Sequence, residues 1–82
     1  MKLYLISQSE NTGYDTYDSA IVAALNETTA KGIHPSGEQS YWDDNHGWAG
    51  WASRPEMVQA KYIGEAAPWI KQGVVLASYN AG

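Results

Sequence analysis

The strand-forming residues of this chain are concentrated in four short segments separated by polar and glycine-rich stretches. The first, residues 3–7, is an almost unbroken apolar run, which predicts a strand buried on both faces. Residues 19–24, 59–64 and 74–79 also contain aliphatic and aromatic strand formers, and each segment predicts a further strand. The predicted architecture is therefore dominated by strands.

A short helix is predicted between the second and third strands. Asn26 is a favourable N-cap, and the carboxylate of Glu27 lies in the first turn, near the positive end of the helix dipole. The helix is expected to continue to about Ile33, because Pro35 prevents its extension. A helix this short should depend on packing against the sheet.

A long loop is predicted between the helix and the third strand. Residues 36–50 are polar, glycine-rich and aromatic, with at most a short edge strand over residues 39–42. Residues 53–56 then read Ser-Arg-Pro-Glu, a capping box with proline near the first helical position. One helical turn through Val58 is expected before the third strand.

This order of elements predicts a single α+β domain over residues 1–82. We expect a small, mainly antiparallel sheet in the order β-β-α-loop-β-β, with one short helix packed on one face and a long aromatic loop. The predicted core consists of apolar residues from every element: Leu3, Leu5, Ile21, Val22, Ala23, Ala30, Ile33, Val58, Ile63, Val74 and Leu76.

The length and composition of the chain limit how much its core can stabilise the fold. A domain of 82 residues has a thin core, and the absence of cysteine excludes disulfide bonds and thiolate metal sites. The aromatic residues are four tryptophans and six tyrosines, types that are enriched at protein interfaces. The composition fits a homo-oligomer as well as a monomer.

The charge distribution disfavours a nucleic-acid backbone as partner. The formal net charge is −4, and the basic residues are scattered rather than clustered. An acidic surface that mimics nucleic acid is an alternative, but simple solubility is the favoured interpretation. The short apolar run at the N-terminus predicts no secretory signal, and no segment has the apolar length of a membrane span. The expected location is the cytoplasm, away from membranes.

The chain offers little for catalysis, and we predict that it is not an enzyme. It lacks the Gly-x-Ser-x-Gly motif, and His34 and His46 lack the spacing of zinc ligands. Asp43, Asp44 and His46 form a short cluster of metal-ligand types, for which a solvated turn is the favoured interpretation. No cofactor, metal or catalytic residue is predicted.

The candidate site is aromatic. Three tryptophans fall within the ten residues 42–51, in the predicted loop and directly after it, and loops carry much of protein function. Aromatic faces stack on bases or sugars, and an arginine pairs with phosphate or carboxylate. The predicted ligand-binding residues are Tyr14, Tyr17, Trp42, Trp48, Trp51 and Arg54. The alternative is that Trp48 and Trp51 close the end of a small core while Arg54 lies in solvent.

Five segments of the chain resemble a family of small proteins carried by phages and prophages. These are residues 1–8, 13–20, 33–35, 62–66 and 77–82, and the resemblance extends over most of the chain outside residues 39–48. The resemblance supplies no catalytic or binding residue. It implies a setting in which small proteins act against host defence, by sequestering nucleotide signals or by blocking a defence protein.

The leading hypothesis is a non-catalytic binding protein that sequesters a nucleotide-like signalling ligand in an aromatic-lined pocket, in the cytoplasm of a host cell. Its basis is the aromatic density, Arg54 at a predicted helix start, and the lack of a catalytic set. The alternative hypothesis is an acidic inhibitor that binds a host defence protein through exposed tryptophan and tyrosine anchors.

Overall fold

A computed structural model describes residues 1–38, 42 and 50–80 of the chain, and the fold is built from them. The elements are β1 (Lys2–Ser7), β2 (Thr16–Ala24), α1 (Glu27–Lys31), β3 (Gln59–Glu65) and β4 (Gly73–Asn80), with one 3₁₀ turn at Pro55–Met57. The predicted α+β class, with an antiparallel sheet and one short helix, is confirmed.

The four strands form one antiparallel sheet in the order β3-β1-β2-β4. β1 and β2 are the central strands, and β3 and β4 form the two edges. The helix α1 contacts β1, β2 and β3, so it lies across one face of the sheet. No helix in the described part of the chain is long and apolar enough to cross a membrane.

The core lies on the face of the sheet that α1 covers. Tyr4 and Ile6 of β1 are paired with Val22 and Ala20 of β2, and all four side chains are buried. Alternate residues of a strand point to opposite faces, so these even-numbered positions form one apolar layer. Buried residues beyond the central strands complete the cluster: Ala24, Ala30, Ile33, Trp51, Ala52 and Val58.

The prediction that β1 is buried on both faces is wrong, because among the described residues only the α1 face is covered. Of the predicted core, five residues are confirmed as buried: Val22, Ala23, Ala30, Ile33 and Val58. Three are exposed, namely Leu5, Ile63 and Leu76, while Leu3, Ile21 and Val74 are only partly buried. Strand periodicity predicts where the strands lie, but it does not predict which face of the sheet the helix covers.

Two element boundaries differ from the predicted ones by two residues or more. β2 begins at Thr16 rather than residue 19, because pairing of Thr16 with Asn80 extends the strand beyond its aliphatic part. α1 ends at Lys31 rather than Ile33, because the Gly32 amide turns back to the carbonyl of Thr29. The predicted N-cap is confirmed, since Asn26 Oδ1 accepts from the Thr29 amide at 2.8 Å.

The predicted capping box at residues 53–56 does not form. The 3₁₀ turn begins after Arg54, which makes no side-chain cap. Ser53 instead donates its amide and its hydroxyl to the Glu10 carboxylate, at 2.9 and 3.1 Å. Ser53, which the local sequence predicts as a helix cap, therefore binds the Glu10 carboxylate of the β1–β2 connection instead. Residues 39–41 of the predicted edge strand lie outside the described residues.

Replacement of Trp51 by alanine should strongly destabilise the protein. Trp51 is 2% exposed in the core, and loss of a buried aromatic side chain costs about 3–5 kcal/mol of unfolding free energy. Trp69→Ala is the matched control, because Trp69 is 78% exposed and its loss should cost less than about 0.5 kcal/mol. Urea unfolding followed by circular dichroism measures both. Similar small losses for the two variants would contradict this assignment of Trp51 to the core.

Candidate functional site

Four ring side chains form a continuous row on the α1 side of the sheet, and we call it the aromatic row. Tyr79 of β4 meets Tyr17 of β2 edge to face, with ring centroids 4.9 Å apart. The rings of Tyr17 and His34 are 6.4 Å apart, and those of His34 and Trp42 are 5.3 Å apart. The row thus connects Tyr17 and Trp42, two of the predicted binding residues, through a histidine.

Trp42 is anchored to the end of α1. Its indole Nε1 donates a 2.8 Å hydrogen bond to the carbonyl of Gly32, the residue that caps the helix. Carbonyl groups at a helix C-terminus lack partners within the helix, so the indole satisfies one of them. The side chain is half-buried and packs against the core cluster. Trp42 is therefore held in place by one polar and several apolar contacts.

His34 is buried and electrically neutral. The Ser36 amide donates to His34 Nδ1 at 3.1 Å, so that nitrogen carries no proton and the proton resides on Nε2. The Ser36 hydroxyl, 2.8 Å from Nδ1, then also acts as a donor. Desolvation by burial lowers the pKa of His34 from 6.5 to about 4. A buried neutral imidazole suits a packing role within the aromatic row.

The turn from His34 to Gly37 is built by its sequence. The Gly37 amide donates to the His34 carbonyl at 2.9 Å, and Pro35 takes the position of a β-turn that favours proline. Gly37 has a φ of +85°, a conformation that glycine adopts without steric cost. The sequence therefore places a tight turn directly after α1, rather than only a helix stop.

Trp51 belongs to the core in this structure. Its carbonyl accepts a 2.7 Å hydrogen bond from Asn11 Nδ2, which fixes the backbone of the segment. Its indole Nε1 is buried without an acceptor in the described part of the chain. The core-closing role that the sequence left open for Trp51 is thus the one its burial supports. Trp48 lies outside the described residues.

Tyr14 and Arg54 lie at the surface. Tyr14 is 76% exposed in a turn where Asp15 has a φ of +59°, a conformation that aspartate tolerates better than most residues. Asn80 fastens this turn, because its carbonyl accepts from the Asp15 amide at 2.6 Å. Arg54 Nε is 3.8 Å from a Glu56 carboxylate oxygen, and both side chains are exposed. A weak surface ion pair of this kind contributes little to stability.

A cleft lies between the end of α1 and the start of β4. Its volume is about 410 Å³. It is lined by residues of α1, the following turn and β4: Thr29, Gly32, Ile33, Gly37, Gln72, Gly73 and Val74. Gly32 is also the acceptor for Trp42, so the cleft and the aromatic row share a wall. None of the six predicted binding residues lines this cleft directly.

Sequence reasoning missed a polar network at the opposite end of the core. Gln8 Oε1 accepts from the amides of Glu10 and Asn11 at 2.8 and 2.9 Å, which shapes the β1–β2 connection. Glu10 and Asn11 then bind Ser53 and Trp51, as described above. The sequence feature that could have indicated this network is the polar segment of residues 8–11, directly after β1. Its partners lie about forty residues away and cannot be read from local sequence.

The described residues hold no group of three His, Cys, Asp or Glu side chains that suits a metal ion. Asp43, Asp44 and His46 lie outside them. Comparison of the chain with protein-family models, curated proteins and solved structures finds no match.

Acidification should destabilise the protein through His34. The unfolded chain binds a proton near pH 6.5 while the folded chain resists protonation down to about pH 4. The unfolding free energy should therefore fall as pH is lowered through this window, by about 2 kcal/mol between pH 7 and pH 5. Urea titrations at several pH values measure this slope.

Two single variants separate this effect from other titrations. His34→Gln should remove most of the slope, because glutamine does not titrate. His46→Gln removes the other histidine of the chain and should retain the slope. An unchanged slope in His34→Gln would contradict the assigned role of His34.

Proposed function

We propose that this chain is a non-catalytic binding protein whose ligand is a nucleotide-like small molecule held in the cleft between α1 and β4. The observation that carries the proposal is the cleft itself. Its volume of about 410 Å³ lies within the usual range for small-molecule sites. Its walls offer polar backbone groups, and one lining residue, Gly32, also accepts the hydrogen bond from the Trp42 indole.

The glycines of the cleft favour close approach of a ligand to the backbone. A Cβ atom added at Gly37 or Gly73 would meet no heavy atom within 4 Å, so both positions face open space. Glycine exposes its amide and carbonyl groups to a neighbouring molecule more fully than any other residue. Backbone groups at such positions would hydrogen-bond the edges of a base or the hydroxyls of a sugar.

Charge favours an anionic group at the rim. Lys71 directly precedes Gln72, which lines the cleft, so one basic residue lies next to the rim along the chain. A phosphate near this ammonium group would gain modest attraction, strongest at low ionic strength. Trp42 adjoins the cleft only through its hydrogen bond to Gly32, and Trp48 of the predicted loop is the candidate for stacking on the ligand.

The resemblance to phage and prophage proteins supports a specific version of this proposal. A protein of this kind would sequester a nucleotide signal of the host defence and would need no catalytic group. It would act in the host cytoplasm, where such signals are made. Binding alone suffices, because a binder that exceeds the ligand in amount and is present above its Kd leaves little free ligand.

A second candidate function is inhibition of a host defence protein by direct binding. It is favoured by Tyr14 and Trp69, which are 76% and 78% exposed, since exposed aromatic side chains are frequent anchors of interfaces. The net charge of −4 would complement a basic surface on the partner. This candidate predicts a stable complex with a protein and no small-molecule binding.

Titration with linear and cyclic nucleotides should identify a ligand. We expect quenching of tryptophan fluorescence and a rise in melting temperature for one class of compound, because a ligand that binds only the folded state stabilises it. Lys71→Glu should weaken that binding by about threefold to tenfold at low salt, since it reverses a charge at the rim.

Matched variants locate the site. Lys61→Glu makes the same charge change on β3, where Lys61 pairs with Leu5 on the face opposite α1, and should leave the affinity unchanged. Trp48→Ala and Arg54→Ala test the predicted aromatic site. Equal effects of Lys71→Glu and Lys61→Glu would count against the cleft. Silence across the whole panel would favour the protein-partner candidate, which capture from host lysate then tests.

A further inference from the structure

The face of the sheet opposite α1, which we call the open face, carries an apolar row across all four strands. The strand register aligns Lys61 of β3, Leu5 of β1, Ile21 of β2 and Leu76 of β4. Cross-strand partners share a face, so these side chains stand side by side. In this row the lysine occupies one edge of the sheet and three aliphatic residues occupy the rest.

The open face is more apolar than a solvated surface requires. Leu76 is 66% exposed and Leu5 is 36% exposed, although β1 is a central strand. An antiparallel sheet with one face in water normally alternates apolar and polar residues along each strand. β1 is instead apolar on both faces from Leu3 to Ile6, the pattern of a sheet that is covered on both sides.

A shallow groove gives the open face its shape. It has a volume of about 290 Å³ and runs between β1, β2 and β4. Its apolar walls include Leu5, Ile21 and Leu76, while Ser19 and Ser78 close it at one end. An aliphatic side chain from a partner would fill such a groove and would remove these leucines from water.

The charges around the open face are arranged with opposite signs at opposite sides. Lys61 lies on β3 at one edge, and it makes no ion pair within the described residues. Asp18 lies at a bulge in β2 next to the other edge, where its carboxylate accepts a 3.4 Å hydrogen bond from Ser78. A rotation that exchanges the two edges therefore exchanges a positive position with a negative one.

We propose that the open face binds a second copy of this chain in a face-to-face dimer with a two-fold axis parallel to the strands. This rotation places β3 of one copy over β4 of the other. The row of Lys61, Leu5, Ile21 and Leu76 then faces the same row of the second copy, which runs in the opposite order. The stem of Lys61 then covers Leu76 of the second copy, and its ammonium group extends towards that copy's Asp18. The pair of Lys61 with Asp18 forms twice, once in each direction, as a two-fold interface requires.

The dimer is independent of the ligand proposed above, because the cleft lies on the α1 side of the sheet. Dimer formation would also increase the buried apolar surface of a chain of 82 residues, because the second copy covers the open face of β1. Two stacked sheets of this kind pack about 10 Å apart with their strands roughly aligned.

Sedimentation velocity of the full chain over a range of concentrations tests the dimer. Leu76→Lys should weaken self-association by at least about tenfold, because the interface would have to remove a charge from water. Leu25→Lys is the matched control: Leu25 is 61% exposed, in the turn before α1, and the variant should associate like the parent chain. Circular dichroism and melting temperature verify that both variants fold.

Charge exchange tests the orientation of the two copies. Lys61→Glu and Asp18→Lys should each weaken the dimer severalfold at low salt, because each places like charges together. The double variant should recover most of the parent affinity, since every pair is restored with reversed sign. A dimer that both single variants leave unchanged would overturn the proposed axis.

Three results would overturn the proposal itself. The first is a parent chain that stays monomeric at the highest concentration measured. The second is equal behaviour of Leu76→Lys and Leu25→Lys. The third is a dimer in which the backbone amides of β4 become protected from hydrogen exchange on association, since that pattern indicates pairing through the strand edge rather than stacking of faces.

Discussion

The packing of Trp51 into the α1 face of the sheet is the contact on which the rest of the fold depends. It brings the chain back over the central strands after the long connection that follows α1. Asn11 binds the Trp51 carbonyl and Glu10 binds Ser53 after it, while the Tyr17 amide donates to the Gly50 carbonyl before it, at 2.8 Å. The 3₁₀ turn and β3 follow within a few residues, so the position of Trp51 also sets where the edge strand begins.

Secondary structure was largely readable from the sequence because it depends on local patterns. The apolar segments predicted all four strands, and Asn26 correctly marked the start of α1. The core was less readable, because burial depends on which face of the sheet receives a cover. Leu5 and Ile6 look alike in sequence, yet Ile6 is fully buried and Leu5 is exposed.

The candidate site depends even more on distant contacts. Tyr17 and Trp42 could be selected as aromatic, but their connection through His34 arises from the turn after α1 and from the register of β2 with β4. The cleft lies between α1 and residues 72–74, which follow the helix by about forty positions, and no local sequence pattern predicts that these segments are close in space. The same is true of Ser53, whose local sequence indicates a helix cap while its hydroxyl binds Glu10.

The order of strands in the sheet has a consequence for how the chain folds. β1 and β2 form a hairpin of neighbouring segments, but Lys2 pairs with Glu65 and Ser19 pairs with Ser78, so each outer strand must close a long loop. Closing loops costs entropy before the contacts repay it, and sheets rich in such pairings fold on the slower, millisecond-to-second scale. Until β3 and β4 arrive, the hairpin presents two unpaired edges, and a nascent chain in that state is prone to associate with its neighbours.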